Sequence, residues 1–182
     1  MKVKLKNVRV NYPTLFKATK SAKFPDQAAS YSLSLLVDKG SDNDKAIEDA
    51  IKKVAEEKFG DDYAKKLKNL RPNTQKFAYK DGELYDEPDL NILSAKRKES
   101  AGRPIIVDRD LSPLTEVDAK IYSGCYCNVS VDIWAQGSPF EGIRAQLLQV
   151  QFYKDGDKLS GGSSQSAGLD FEEIVVEDEE LV

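Results

Sequence analysis

Asp86, Glu87 and Asp89 crowd together just before a stretch that reads as a strand, Asn91–Arg97, and Lys96 lies inside it. An aspartate ahead of a strand that ends in acid-x-lysine is an arrangement that can hold a magnesium ion for phosphodiester hydrolysis. The position two before Lys96 is Ser94, so the second carboxylate is missing. The plainer expectation is an acidic turn between strands, and nuclease chemistry stays only as a minor alternative. No phosphate-binding loop or dinucleotide fingerprint appears.

The rest of the inventory excludes more chemistry than it offers. The chain of 182 residues has no histidine, which removes imidazole acid–base catalysis, His-metal sites and Ser-His or Cys-His nucleophiles. Cys125 and Cys127 are two apart on one strand face, a poor geometry for a disulfide. Without histidine they cannot complete a structural zinc site. No metal and no cofactor are expected.

Bases interleaved with aromatics offer more. Such pairs occur as Arg9-Val-Asn-Tyr12, Phe16-Lys17, Lys23-Phe24 and Lys76-Phe77-Ala-Tyr79-Lys80. Nonspecific binding of single-stranded nucleic acid needs a positive groove for phosphates and aromatic faces for bases. The net charge of −4 hides a split that fits this need. Residues 170–182 hold seven acids and no base, which leaves 27 bases against 24 acids in residues 1–169. A mildly basic body with an acidic tail suggests a nucleic-acid binder with an interaction tail, although a merely solubilising terminus has the same composition.

The elements that must position these residues are mostly strands. Gly124–Gln136 alternates almost without fault, with Cys125, Cys127, Val129, Val131, Ile133 and Ala135 on one face. Tyr126 and Trp134 fall on the polar face. They are either covered by a second layer or left open as a stacking platform, and the pattern does not choose between these. Val3 and Leu5 differ in parity from Val8 and Val10, which predicts a bulge near Lys6–Asn7. Pro13 is expected to end that first strand. Ser30–Val37 reads as the second. Ala46, Ile47, Ala50, Ile51, Val54, Ala55 and Phe59 recur at helical spacing, so a helix is predicted over about 42–59, capped by Ser41 or Asp42 and closed by Gly60. A shorter helix is expected through Tyr63–Asn69. Gln75–Lys80 and Glu83–Tyr85 flank Asp81-Gly82, a hairpin signal. Pro104–Val107 is a short strand, and Ile143–Lys154 the last long one, with a second bulge at Leu147-Leu148. Asp155-Gly156 is expected to end the ordered body.

The domain reading is therefore a body over 1–155, a flexible Gly/Ser linker over 156–169 and an acidic tail over 170–182. No apolar run is long enough to span a bilayer, and the alternating Met-Lys-Val-Lys-Leu-Lys start is not a signal peptide. A cytoplasmic location without membrane contact is expected.

Four segments also resemble a known family. They are Tyr12–Phe16 (Tyr-Pro-x-Leu-Phe), Asp108-Arg109, the block Tyr122–Ser130 (Tyr-Ser-Gly-Cys-Tyr-x-Asn-x-Ser) and the Asp155-Gly156 turn before an acidic tail. Together they are similar to a bacteriophage and prophage family of single-stranded DNA-binding proteins, once catalogued only as a domain of unknown function. The resemblance covers about residues 3–172. It implies an OB fold, kinship with the tailed single-strand binders of podoviruses, and no catalysis. By analogy with those binders it extends to a homodimer formed by tail exchange, which the residues themselves leave open. This chain ends Glu180-Leu181-Val182 with Phe171 well upstream, whereas related tails usually end in an aromatic residue or Pro-Phe. The replication or recombination partner of the tail is therefore not named by the resemblance.

The combined expectation is a mainly β protein, an OB-type barrel elaborated by the 42–59 helix, with a disordered acidic tail. Its expected function is sequence-nonspecific binding of single-stranded DNA in phage replication, recombination or repair. The rival from another class is a structural or adaptor protein of the phage particle. The candidate stacking residues are Tyr12, Phe16, Phe77, Tyr79, Tyr122 and Trp134. The candidate phosphate contacts are Lys4, Arg9, Lys17, Lys20, Lys96, Arg97, Lys98, Arg103, Arg109 and Arg144. Asp170, Phe171, Glu172, Glu173, Glu177, Asp178, Glu179 and Glu180 form the candidate tail that competes with DNA or recruits partners.

Overall fold

The computed structural model describes residues 1–159. Alternation of apolar and polar residues produces seven strands, as expected for a period of two. They are β1 (Lys2–Thr19), β2 (Ser30–Asp38), β3 (Tyr79–Asp81), β4 (Leu90–Lys98), β5 (Ile105–Val107), β6 (Tyr126–Gln136) and β7 (Gly142–Lys154). Their order is β3-β4-β2-β1-β6-β7-β5, and an additional β4–β7 pairing closes the sheet. The closed ring is thus β1-β2-β4-β7-β6, antiparallel except for the parallel β4–β7 contact, and this is the OB-type barrel. Val10, Leu35, Leu93, Cys127, Val131, Ile133 and Leu147 point inward and form its core.

Two helices separate β2 from β4. Helix α1 (Asp42–Phe59) has the predicted bounds, with Ser41 accepting from Asp44 N–H and Gly60 closing it at φ 60°. Its apolar stripe, Ile47, Ala50, Ile51, Val54 and Ala55, is buried, and the helix packs against β6 and β1. Helix α2 (Tyr63–Leu70) follows a short 3-10 turn. Asp44 ties α1 to the barrel. Its carboxylate accepts from Gly40 N–H (2.8 Å), Tyr79 hydroxyl (2.5 Å) and Asn91 side-chain N–H (3.1 Å). Burial alone would raise the Asp44 pKa, but these hydrogen bonds outweigh it and hold the carboxyl below its ordinary value.

Both predicted bulges are present. Between Leu5 and Val8 the β1–β6 register shifts, and Asn7 takes φ 49°. Between Ser130 and Val131 the β6–β7 register skips Leu148. Each shift lets one long strand keep apolar side chains inward on both sides of a bend.

Three expectations are corrected. Pro13 does not end β1, which runs on to Thr19. The β1–β2 register jumps from Asn11↔Ser34 to Thr14↔Ser32, so Tyr12 (φ 48°) and Pro13 form a bulge where a missing N–H costs no ladder bond. Asp81-Gly82 is not a tight hairpin tip. Instead β3 pairs with β4, and a 3-10 turn (Gly82–Tyr85) capped by Asp81 begins the connection. Gly82 is required for close approach, since a Cβ there would lie 2.2 Å from the Glu87 carbonyl oxygen and 2.3 Å from that of Leu90. Finally, the chain stays against the barrel past Gly156. Leu159 N–H donates to the Ser123 carbonyl (3.0 Å). The expected disordered tail and most of the linker lie outside the described residues.

Candidate nucleic-acid interface

Register alone defines the outer surface of the barrel. Leu33, Leu35, Leu93 and Ala95 point inward, so their neighbours in β2 and β4 point outward. Reading across paired strands gives four rows. Arg9, Leu36, Ile92 and Lys80 form the first, and Asn11, Ser34 and Ser94 the second. Thr14, Ser32, Lys96, Gln146 and Asp132 form the third, and Thr19, Ser30 and Lys98 the fourth. On β2 and β4 themselves the outward positions from Ser30 to Leu36 and from Ile92 to Lys98 contain no acid.

On β2 and β4 this face carries small hydroxyls, long cations and the apolar pair Leu36 and Ile92. Thr14 Oγ1 and Ser32 Oγ lie 2.8 Å apart, and Lys80 Nζ donates to Ser94 Oγ at 3.2 Å. None of the ion pairs among the described residues involves Lys80, Lys96 or Lys98. Burial, and after it the charge of Lys96, lowers the Lys80 pKa from the ordinary lysine value.

Two loops flank the face. The β1–β2 connection brings Lys20, Lys23 and the exposed ring of Phe24. The β6–β7 connection carries Phe140, 68% exposed. Trp134 stands on the outer side of β6 opposite Arg144 of β7, 40% exposed, with no second layer over it among the described residues. In barrels of this type the face of the second and third barrel strands and these two loops are the usual oligonucleotide surface.

The candidates named from the sequence divide into three groups. Lys96 and Lys98 lie on the face, Lys20 at its loop and Arg144 beside Trp134, where its guanidinium donates to the Gln75 carbonyl (2.6 Å). Lys4, exposed, lies opposite Ser130 on β6, and Arg103 is exposed in the loop before β5. Lys17 is exposed and lies 3.7 Å from Glu116. Tyr12 is exposed at the β1 bulge, while Phe16 is partly buried against the core.

A second group is bound up in the protein's own structure. Arg9 donates to the carbonyls of Asp157 (2.7 Å) and Gly124 (3.3 Å). Arg97 donates to those of Gly102 (2.7 Å), Ala101 (2.7 Å) and Leu147 (3.4 Å). Arg109 lies over the Phe152 ring. The Tyr122 hydroxyl donates to Asp155 (3.0 Å) and accepts from Gly156 N–H (3.1 Å). Tyr126 is covered by Arg9 and Lys154.

Phe77 and Tyr79 form the third group and are corrected. They are 1% and 3% exposed, because their parity in Lys76–Lys80 sends them inward and Lys80 outward. Burial, then the hydrogen bond to Asp44, keeps the Tyr79 hydroxyl protonated far above its usual range. Lys80 and Phe24 stand among the interleaved pairs but not among the candidate contacts, and Phe140 is in neither. Parity opposite Tyr79 would have found Lys80, and a loop phenylalanine without apolar neighbours would have pointed to Phe140. Asp86, Glu87 and Asp89 are exposed on the β3–β4 connection, and among the described residues no three carboxylate or thiol groups converge to hold a metal ion.

The whole chain, residues 1–182, matches the family model described as Enterobacter phage Enc34, ssDNA-binding protein. The protein p50 of Acyrthosiphon pisum secondary endosymbiont phage 1 is 37% identical, covering 100% of this chain and 99% of that one. The single-stranded DNA-binding protein from bacteriophage Enc34, solved in complex with ssDNA, has 25% identity and a TM-score of 0.69, over 87% of this chain and 89% of that one. The bacteriophage T7 protein gp2.5 shares the fold, with a TM-score of 0.55 at 13% identity over 97% and 100% of the two chains.

Proposed function

This chain belongs to the family of the Enterobacter phage Enc34 ssDNA-binding protein, and from that premise we propose that it binds single-stranded DNA without sequence preference. The observation that carries the reading is the outer face of β2 and β4, acid-free from Ser30 to Leu36 and from Ile92 to Lys98, where Lys96 and Lys98 enter no ion pair among the described residues and aromatic rings stand in the loops beside it. Phosphates meet the cations and hydroxyls. Bases meet Trp134, Phe24, Phe140 and Tyr12, whose π-faces accept any base. The role is binding during phage replication, recombination or repair inside the infected host cell, with no chemical step.

The acidic residues 170–182 fit a competitor for the same face. Leu159 sits beside Ser123, and the ten residues 160–169 can reach at most about 35 Å from there. Displaced by DNA, the tail is free to meet replication or recombination proteins.

Titration with oligo-dT tests the reading. Trp134 fluorescence should be quenched, and log affinity should fall with log salt by about 0.7 per phosphate neutralised. No binding at low salt would sink it. A chain ending at Gly168 should bind more tightly than the full chain at low salt, and equal affinities would remove the competing role of the tail.

A further inference from the structure

Lys80 is an odd residue to find where it is. It is half-buried on the outer face, its only side-chain hydrogen-bond partner among the described residues is Ser94 Oγ at 3.2 Å, and the charge that acts on it there is another cation, Lys96. Withdrawing an ammonium from water beside a like charge destabilises the folded protein unless an anion joins them. A hydrogen bond to one serine hydroxyl is small compensation. Elsewhere the chain does supply a carboxylate to a partly buried lysine: Lys66 has Glu141 at 2.7 Å.

We infer that Lys80, Ser94 and Lys96 form the principal phosphate subsite of the face, a cradle for one phosphodiester of the bound strand. Lys80 rises from β3 opposite Ile92, and Ser94 and Lys96 follow on the outward side of β4. A phosphate oxygen above Ser94 accepts from both ammonium groups and the hydroxyl together. Such charge-assisted bonds are about twice as strong as neutral ones. The apolar pair Leu36 and Ile92 lies in the next row and gives the attached nucleoside a nonpolar surface. Small neighbours, Ser32 and Ser34, let the backbone of the strand come close to the sheet.

The inference rests on the reading of the chain as a single-strand binder, and it has a signature a structural lysine lacks. Loss of Lys80 should weaken DNA binding while relieving the free protein. The test uses the full chain with Lys80→Met, Lys96→Met, Lys80→Arg and, on the exposed side of α1, Lys53→Gln. Oligo-dT affinity is measured across a salt series beside melting temperature. Lys80→Met and Lys96→Met should each bind about tenfold more weakly at about 50 mM salt. Each should flatten the log–log salt slope by about 0.7. Their melting temperatures should equal or exceed that of the parent chain. Lys80→Arg should recover most of the affinity, and Lys53→Gln should match the parent. If the parent chain binds but Lys80→Met stays within twofold of it, the subsite is wrong. A loss of affinity that comes only with a lowered melting temperature also overturns it. Failure of the parent chain itself to bind would instead remove the underlying reading.

Discussion

On the outer face of β2 and β4, Lys96 and Lys98 enter no ion pair among the described residues, whereas Arg9, around the barrel at the seam near Gly124, spends its guanidinium on two backbone carbonyls. Both regions hold cations near aromatic rings, and both lie on strand surfaces. At the seam the rings and cations face each other: Arg9 and Lys154 lie over Tyr126, and Tyr122 holds Asp155 and Gly156. The charge there is consumed in fastening residues 156–159 to the barrel. On the face no carboxylate among the described residues consumes it. A base whose hydrogen bonds are satisfied inside the protein adds little to a ligand, while an exposed one exchanges water for a charge-assisted bond to it. The difference between a structural and a ligand-binding cation is therefore a matter of what else is within reach.

The largest expected effect lies at the seam. Gly124 has φ 113°, and a Cβ there would fall 2.0 Å from the Asp157 carbonyl oxygen. Gly124→Val should cost roughly 3 kcal/mol of stability, a fall of about 6–12 °C in melting temperature, read by thermal unfolding. The protein that remains folded should keep the parent salt slope, and a changed slope would show that the seam touches DNA. Next in size is the face. Lys96→Gln with Lys98→Gln should weaken oligo-dT binding about 10- to 100-fold at low salt and reduce the slope by about 1.4, with melting unaltered. A marked drop in melting temperature would erase the distinction between the regions.

Smaller again is Tyr122→Phe, which removes the hydroxyl that holds Asp155 and Gly156. It should lower stability by about 1 kcal/mol and leave DNA affinity within about twofold. Weakening beyond tenfold would move Tyr122 from the seam to the interface. The last effect is in acid. The folded-state pKa of Asp44 is depressed, so its contribution is present above the ordinary aspartate value and is lost as pH falls through the depressed one. Below about pH 4 the parent chain should therefore lose stability more steeply than Asp44→Asn in pH-dependent melting. Equal slopes would show that the Asp44 anchor is not what ties α1 down in acid.

Periodicity made much of the fold legible. The seven apolar positions at helical spacing, with Ser41 and Gly60 at the ends, gave α1 its observed limits, because caps and stripe are both local. The parity changes at Lys6–Asn7 and Leu147-Leu148 became the two bulges, since only an extra residue reconciles two inward faces. Pro13 and Asp81-Gly82 misled for the opposite reason. Proline ends a strand only where its N–H is needed, and glycine marks a tight turn only where its φ is needed. At Pro13 a bulge removed the need, and at Gly82 the requirement was room for two carbonyls.

The candidate site was legible as composition and less so as place. The sequence by itself determined a basic β-rich body, the absence of histidine chemistry, the inward parity of Cys125 and Cys127, and a set of cations and rings able to hold a polyanion. Which members stand together was decided only by tertiary structure. The pairing of β3 with β4 set Lys80 on the same outward face as Lys96, sixteen positions later in the chain. The return of residues 156–159 to Ser123 took Arg9 and Tyr122 for the seam. Alternation states that a side chain leaves one face of its own strand. It carries no record of which distant carbonyl, carboxylate or cation waits there, and that neighbour sets whether a charge is spent or free.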